Sequence, residues 1–403
     1  MQVRKNAATL DGNEWTRFIQ AMIGLKHSFA PGSDISIYDT FVAIHVGVYQ
    51  LRTGSGPGGG RDGAHNGPAF LPWHREYLRR FELALQTIDP SVTVPYWNWG
   101  RSADADVQVP LQDDRLGPAG TGANNEVVNG YFKEAADPAL NEQGWPIDNR
   151  VNRLAWQGDT FLRRNNTITM QNWDTEVTNA LGQTNYDSFF TALESGPHNN
   201  VHGHIGGHMS EMMSPNDPFF WIHHCQVDHV WAIWQRTHSG PANYNPNDTG
   251  GYGHRIDDYM WPWDGGQSTP NGTDPFNRYP EVIDEATGLN LVGTFSTNDL
   301  VTPRDVINHK ALGYCYDDDA DCPCEERGDI LPTRPRFEDI TIPALEDIAS
   351  RPALEDLTTF AFGEEGITDP RIDDPVPTRA GFEDNDPLPD RPIRRRPGPF
   401  GRF

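Results

Sequence analysis

The feature that most limits what this chain can become is a set of imidazoles embedded in apolar, helix-patterned segments. One passage, "PHNNVHGHIGGHMSEMMSPNDPFFWIHHCQVDHVWAIW", spans Pro197–Trp234. Another, "HNGPAFLPWHREYLRRFELAL" (His65–Leu85), sets two histidines nine residues apart with "FLPW" between them. Neutral imidazole is the usual nitrogen donor for copper, zinc and iron, and several rings are needed to hold one ion. The spacing H-x-x-x-H puts His198 and His202 on one helical face, able to grip the same ion. His224 follows on the next apolar helix, with Asp228 one turn further on. His65 on a glycine-rich loop and His74 at a helix start offer two ligands for a second ion, and His45 inside a buried helix offers a third. Each has an ordinary explanation when taken alone: His45 as a hydrogen-bonded core residue, "FLPWH" as aromatic packing at a helix start. His204, His208, His223 and His229 crowd the same region, so spacing leaves the third ligand open and does not name the metal.

The surrounding pattern is helical. Asp11 and Glu14 form a capping-box pair ahead of Trp15, Phe18, Ile19 and Met22, which predicts a helix over about 13–26. Phe41, Ile44, His45 and Val48 lie along one stripe of 38–51, a second and buried helix. Leu78, Phe81, Leu85 and Ile88 make an amphipathic helix over 75–88 that starts at or near His74, with Arg79, Arg80 and Glu82 outside the seam. Helices are also expected over 187–194, 198–202 and 218–235. Residues 100–150 and 239–310, rich in Gly, Asp, Asn and Pro, read as long loops with short elements. The fold class is mainly α, with a helical core and long excursions rather than an alternating βαβ pattern.

The chain of 403 residues is long enough to bury a sizeable core. Its formal charge of -25 leaves no basic face for nucleic acid or an anionic membrane, and no segment is apolar enough to span a bilayer. "MQVRKNAATLDGNEW" lacks the apolar centre of a signal peptide, so a cytoplasmic protein is expected rather than a secreted one. Four cysteines are too few for a disulfide framework, and Cys322 and Cys324 in "DCPCEE" stand too close for an easy mutual bridge. They read as free thiols in an acidic loop. Beyond about residue 325 lysine and tryptophan vanish, proline recurs, and "PALED" repeats at 343 and 352. This segment reads as a linker or an extended arm, ending in the basic "RPIRRRPGPFGRF".

"HNGPAFLPWHREYLRRFE" closely resembles the first copper signature of the tyrosinase and polyphenol oxidase family, H-x(4)-F-L-P-W-H-R-x-x-L-x-x-x-E. It is met at His65, Phe70, Leu71, Trp73, His74, Arg75, Leu78 and Glu82. "DPFFWIHHCQVD" is similar to the second, D-P-x-F-W-x-x-H-x-x-x-D, at Asp217, Pro218, Phe220, Trp221, His224 and Asp228. Between them "PYWNW" resembles the family's "PYWDW", with Asn98 in place of Asp. "YCY" (314–316) resembles the tyrosine motif that closes the catalytic domain. The likeness covers about residues 1–316.

The resemblance implies a four-helix bundle holding a binuclear copper site. His45, His65 and His74 would bind one copper ion and His198, His202 and His224 the other, which makes His223 a neighbour. Some members link a cysteine two residues before the second histidine to that ring; here Gly63 stands there and no link can form. The implied activity is ortho-hydroxylation of monophenols and oxidation of o-diphenols to o-quinones with O2 as co-substrate, on small phenols such as tyrosine or catechols. Glu194 and Asn199 match the family's residues that hold a proton-accepting water. Residues 317–403 would be an extension that lids the site in a latent enzyme, with Phe337, Phe360, Phe362 and Phe382 as candidate plugs, or else an arm that straps a homo-oligomer. Met212 and Met213 would line the cavity mouth or fill core. Rival functions are a catechol or o-aminophenol oxidase, a dioxygen carrier with a permanently covered site, and a zinc hydrolase, which would want carboxylate ligands.

Overall fold

The structure is a computed structural model. It describes residues 1–30, 33–49, 51, 62–100, 103–148, 151, 160–238, 244–247, 252–265, 283–284, 289–290 and 300–322. The chain divides into one unit through Cys324 and another over 325–398. The arm, its four phenylalanines and Cys324 therefore lie outside the described residues.

Helices carry the body. The first, α1 (Gly12–Lys26), begins at the expected capping box: Asp11 Oδ1 accepts from the backbone N–H of Asn13 and Glu14, and Glu14 Oε2 accepts from Asp11 N–H at 2.8 Å. Its stripe of Trp15, Phe18, Ile19 and Met22 is buried. Next, α2 (Ile37–Val48) starts where Ser36 Oγ accepts from Asp39 N–H, and it is buried on nearly every side. The helix α3 (Phe70–Ile88) begins four residues before His74, not at it. Pro72 does not prevent this, because N–H groups in a helix's first turn have no intrahelical partner to lose. On α3, Arg80 and Glu82 are buried rather than outside the seam: Arg80 Nε donates to Glu76 Oε1 at 2.7 Å and its guanidinium lies over Trp263.

Two further helices, α4 (Asp174–Leu181) and α5 (Tyr186–Leu193), pack on each other. A single π-turn over Glu194–His198, kinked where Gly196 leaves helical geometry, then leads into α6 (Asn199–Ile205). The last long helix, α7 (Phe219–Thr237), packs on α3, which in turn packs on α1. Asp217 caps α7 by accepting from Phe219 N–H, and both its oxygens are held by buried Arg164 at 2.7 and 2.9 Å. Strand β1 (Gln2–Arg4) pairs in parallel with β4 (Tyr314–Tyr316), Val3 opposite Cys315, and β2 (Ile283–Asp284) pairs antiparallel with β3 (Leu289–Asn290).

Aromatic side chains fill the space between α2, α3 and α7. Phe81 and Trp221 stack with centroids 3.5 Å apart and planes 3° from parallel. Trp221 Nε1 donates to Tyr38 Oη at 2.9 Å, and Tyr38 Oη donates to the Pro215 carbonyl. Trp221 and Tyr38 thus each contribute about 2–3 kcal/mol while their polar ends stay satisfied.

Three signature residues that are not histidine, Arg75, Glu82 and Asp228, are joined through ion pairs with one another and with Arg4. Asp228 on α7 accepts from Arg75 Nε at 2.5 Å, Arg4 Nη1 at 3.3 Å, Tyr314 Oη at 2.6 Å and Tyr316 Oη at 2.5 Å. Arg4 also binds Glu82 at 2.9 Å and lies over the Tyr314 ring. Burial alone would raise the Asp228 carboxyl, but Arg75 and Arg4 outweigh it and hold it at about 2. The "YCY" motif is therefore a strand whose two tyrosine hydroxyls fasten it to Asp228 on α7.

The expectation of free thiols in the acidic loop fails as well. Cys322 is not a free thiol: it is bridged to Cys315, with Cα atoms 5.7 Å apart. The intervening acidic loop is drawn onto the body, Asp317 by Asn6 N–H and Tyr96 Oη, Asp318 by His229 and Arg236, Asp319 by His309. Pairing across that turn was hidden because Cys315 sits inside a strand whose tyrosines dominate the motif. Among the described residues no helix is long and apolar enough to cross a membrane.

Candidate metal centre

Three elements bring His45, His65 and His74 together. His45 comes from the middle of α2, His65 from the turn before α3, and His74 from the first turns of α3. Their ring centroids are 4.9, 5.1 and 5.8 Å apart. A second group joins His198 of the π-turn, His202 of α6, and His223 and His224 of α7. In each group one ligand atom per residue lies within 4.8 Å of the others, a spread that small ring movements close around an ion with bonds of about 2.0 Å. The groups adjoin: His74 and His224 stack with centroids 4.3 Å apart. All seven rings are buried.

Backbone oxygens set which nitrogen faces inward. The Nδ1 of His45 donates to the Met212 carbonyl at 2.7 Å, that of His74 to the Phe70 carbonyl at 2.8 Å, and that of His202 to the Met209 carbonyl at 2.6 Å. His198 Nδ1 is shared between the Glu194 carbonyl at 3.2 Å and Asn199 Oδ1 at 3.0 Å, and His65 Nδ1 faces Asp62 at 3.1 Å. With the proton held on Nδ1, each neutral ring presents an Nε2 lone pair to the interior. The Nε2 atoms of His45, His74 and His198 are buried without a hydrogen-bond partner, and so is that of His223. His202 and His224 turn their Nε2 atoms toward each other at 3.3 Å, a contact that an ion between them would take over.

His223 differs in kind. The indole N–H of Trp99, which can only donate, points at His223 Nδ1 at 3.0 Å. That lone pair is spent, and the neutral ring must carry its proton on Nε2, leaving no donor pair for a metal. Trp99, the last residue of "PYWNW", thus separates the two adjacent histidines that spacing alone left open. Neighbouring Asn98 accepts from Gln226 Nε2 of α7 at 3.4 Å.

Burial holds His45, His74, His198, His223 and His224 well below the ordinary histidine range, and His202 at about 4. These rings need lose no proton to bind an ion near neutral pH. For His65 burial is outweighed by the Asp62 carboxylate, which keeps it above the usual value. Burial also pushes the Glu194 carboxyl up to about 7, although Asn66 N–H donates to its Oε1 at 2.7 Å. Asn66 takes a left-handed φ of 57° to make that contact, beside His65.

His45, His65 and His74 come together as one group, His198, His202 and His224 as another that also holds His223, and Glu194 is buried against Asn66 beside His65. Asn199 places its side-chain oxygen on the His198 ring. His204 is exposed, His208 accepts from Arg163 N–H, and His229 binds Asp318. Met213 is core, whereas Met212 bears on the site through its carbonyl. Asp62 and Trp99 were not foreseen. An aspartate three residues before a histidine, across a glycine, was the signal for the first; nothing in the sequence signalled the second. A methyl group at Gly63 would stand 2.9 Å from Val48 Cγ2, so a side chain there would meet α2.

The family description "Common central domain of tyrosinase" matches residues 35–237. A tyrosinase of Streptomyces glaucescens is 39% identical over 284 residues, covering 65% of this chain and 93% of that one. Grixazone synthase of Streptomyces griseus is 32% identical over 280 residues, 61% of this chain and 88% of its own. Among solved structures, a polyphenol oxidase variant from Thermothelomyces thermophila superposes with a TM-score of 0.49 at 21% identity, covering 78% and 88% of the two chains. With its two facing histidine triads and this extent of shared sequence, the chain belongs to the tyrosinase family, whose members work with a pair of copper ions and O2.

Proposed function

We propose that the protein is a tyrosinase in the full sense, hydroxylating monophenols at the ortho position and oxidising o-diphenols to o-quinones. The observation that carries this reading is the pair of buried histidine groups with the Glu194 carboxylate held beside His65 by Asn66. His45, His65 and His74 would hold one copper ion and His198, His202 and His224 the other, with His223 held out by Trp99. Bound copper supplies the two-electron chemistry toward O2. The chain's residues orient the rings, exclude bulk water, and through burial keep His45, His74, His198, His202 and His224 unprotonated.

A free phenol has a pKa of about 10, so its proton must be removed near neutral pH. Glu194 is the residue suited to this, with Asn199 beside His198 helping to hold a proton-accepting water. Copper-loaded protein assayed in parallel on tyrosine, catechol and o-aminophenol should turn over all three classes. Glu194→Gln should lower the tyrosine rate relative to the catechol rate; an unchanged ratio removes Glu194 from the role.

A narrower activity on o-diphenols or o-aminophenols is the second reading, since grixazone synthase is among the relatives. Absence of tyrosine turnover by fully loaded protein would select it. We further propose that residues 317–403 hold the enzyme latent. Cleavage after Cys322, which spares the disulfide, should raise activity; equal activity before and after would refute latency.

A further inference from the structure

Behind the ligand rings, among the contacts described, the oxygens are of two kinds. His45, His74 and His202 donate from Nδ1 to backbone carbonyls, and His198 to a carbonyl and an amide oxygen. His65 alone faces a carboxylate: its Nδ1 lies 3.1 Å from Asp62 Oδ1 and 3.3 Å from Oδ2. Asp62 is wholly buried, and the same Oδ1 accepts from the backbone N–H of Ala64 and of His65, each at 2.8 Å. Asp62 N–H in turn donates to the His65 carbonyl at 3.1 Å, so the residues from 62 to 65 close on themselves. The close approach of Gly63 to Val48 seats that turn on α2.

We propose that Asp62 is a positioning residue of the first copper site, whose buried charge makes His65 the strongest donor of the six rings and the two copper ions unequal. A carboxylate behind an imidazole N–H draws the proton toward itself and leaves the opposite nitrogen more electron-rich; a carbonyl does so more weakly. A stronger donor favours the more highly charged state of the ion it binds. The site at His45, His65 and His74 should therefore hold Cu(II) more tightly, and release it less readily on reduction, than an otherwise equal site backed by carbonyls. Asp62 touches no substrate; it acts through His65. The inference rests on reading the two triads as copper sites.

The test is Asp62→Asn in full-length, copper-loaded protein. The amide oxygen can still accept the two backbone N–H groups and the ring N–H, so the turn keeps its bonds while the charge is lost. Metal content, chelator competition with Cu(II), and an anaerobic redox titration are compared with the unaltered protein. The expected result is two ions per chain at saturation in both, Cu(II) affinity lowered about 10–100-fold at one site only in the variant, and a raised midpoint potential for that ion. Affinity and potential unchanged in Asp62→Asn would overturn the proposal, as would an equal loss at both sites. Failure of the unaltered protein to bind two ions would instead overturn the copper reading, and this assignment with it.

Discussion

Replacing Asp228 by asparagine tests whether the non-histidine signature residues serve stability rather than metal binding. The side chain is almost wholly buried and accepts from two arginines and two tyrosines. Its carboxyl is held at about 2 against an ordinary 3.8, a gap worth about 2 kcal/mol. That figure counts only protonation. In Asp228→Asn the amide oxygen can serve part of the donor set, while its NH2 opposes the remainder. Arg75, fully buried over Trp231, then loses its main counter-charge. Breaking a buried pair in this way costs about 3–5 kcal/mol. For a body of this size that is a fall in melting temperature of about 4–7 °C. Denaturant unfolding of copper-free protein, followed by tryptophan fluorescence, should show the loss as a lower midpoint with an unchanged slope. Below its melting temperature the variant should still load two copper ions. A loss under about 1 kcal/mol would refute the ion-network account, and loss of one ion with stability intact would make Asp228 part of the metal site.

Other consequences can be checked alongside. The Asp228 contribution is present in full above about pH 4, where the unfolded carboxyl is ionised, and disappears as pH falls through about 2. The stability difference between the unaltered protein and Asp228→Asn should accordingly shrink over that interval; a difference constant from pH 5 to 2 would contradict it. His224→Ala should bind one copper ion per chain while His223→Ala binds two, and the reverse outcome would show the Trp99 contact misread. Breaking the bridge between Cys315 and Cys322, seven residues apart, by Cys322→Ser should cost about 2–3 kcal/mol by loop entropy. An unchanged denaturation midpoint under reducing and oxidising conditions would show that the acidic loop is held by its ion pairs alone.

Much of the helical frame was legible because its signals are local. The capping box at Asp11 and Glu14 and the apolar stripe behind it depend on neighbours within one or two turns, and α1 follows them closely. The start of α3 was displaced by four residues because Pro72 reads as a boundary, whereas in a first turn it is harmless. The α4 helix was overlooked: Asp174, Thr175, Glu176, Thr178 and Asn179 give it a mostly polar surface, and only Val177 and Ala180 are buried. The polar residues of α3 were read as solvent-facing because periodicity cannot see a partner elsewhere in the chain. Arg80 finds Trp263, and Glu82 finds Arg4 78 residues away.

Tertiary contact also decides what spacing left undecided in the site. Six rings can be named from motif positions, but five of them also need an occupant on the nitrogen that faces away from the interior. That occupant is a carbonyl or side chain brought in by folding. The short stretch after α6 shows how much depends on this. Met209 presents its carbonyl to His202 and Met212 presents its own to His45, so one turn fixes a ring in each triad. The turn is formed by Gly206 and Gly207, with φ of 68° and 55°, and a methyl group on Gly207 would come within 2.1 Å of the Arg163 carbonyl. A side chain at that position would have to move the backbone that orients both triads at once. Paired function at this centre therefore rests as much on a glycine turn without metal-binding atoms as on the histidines themselves.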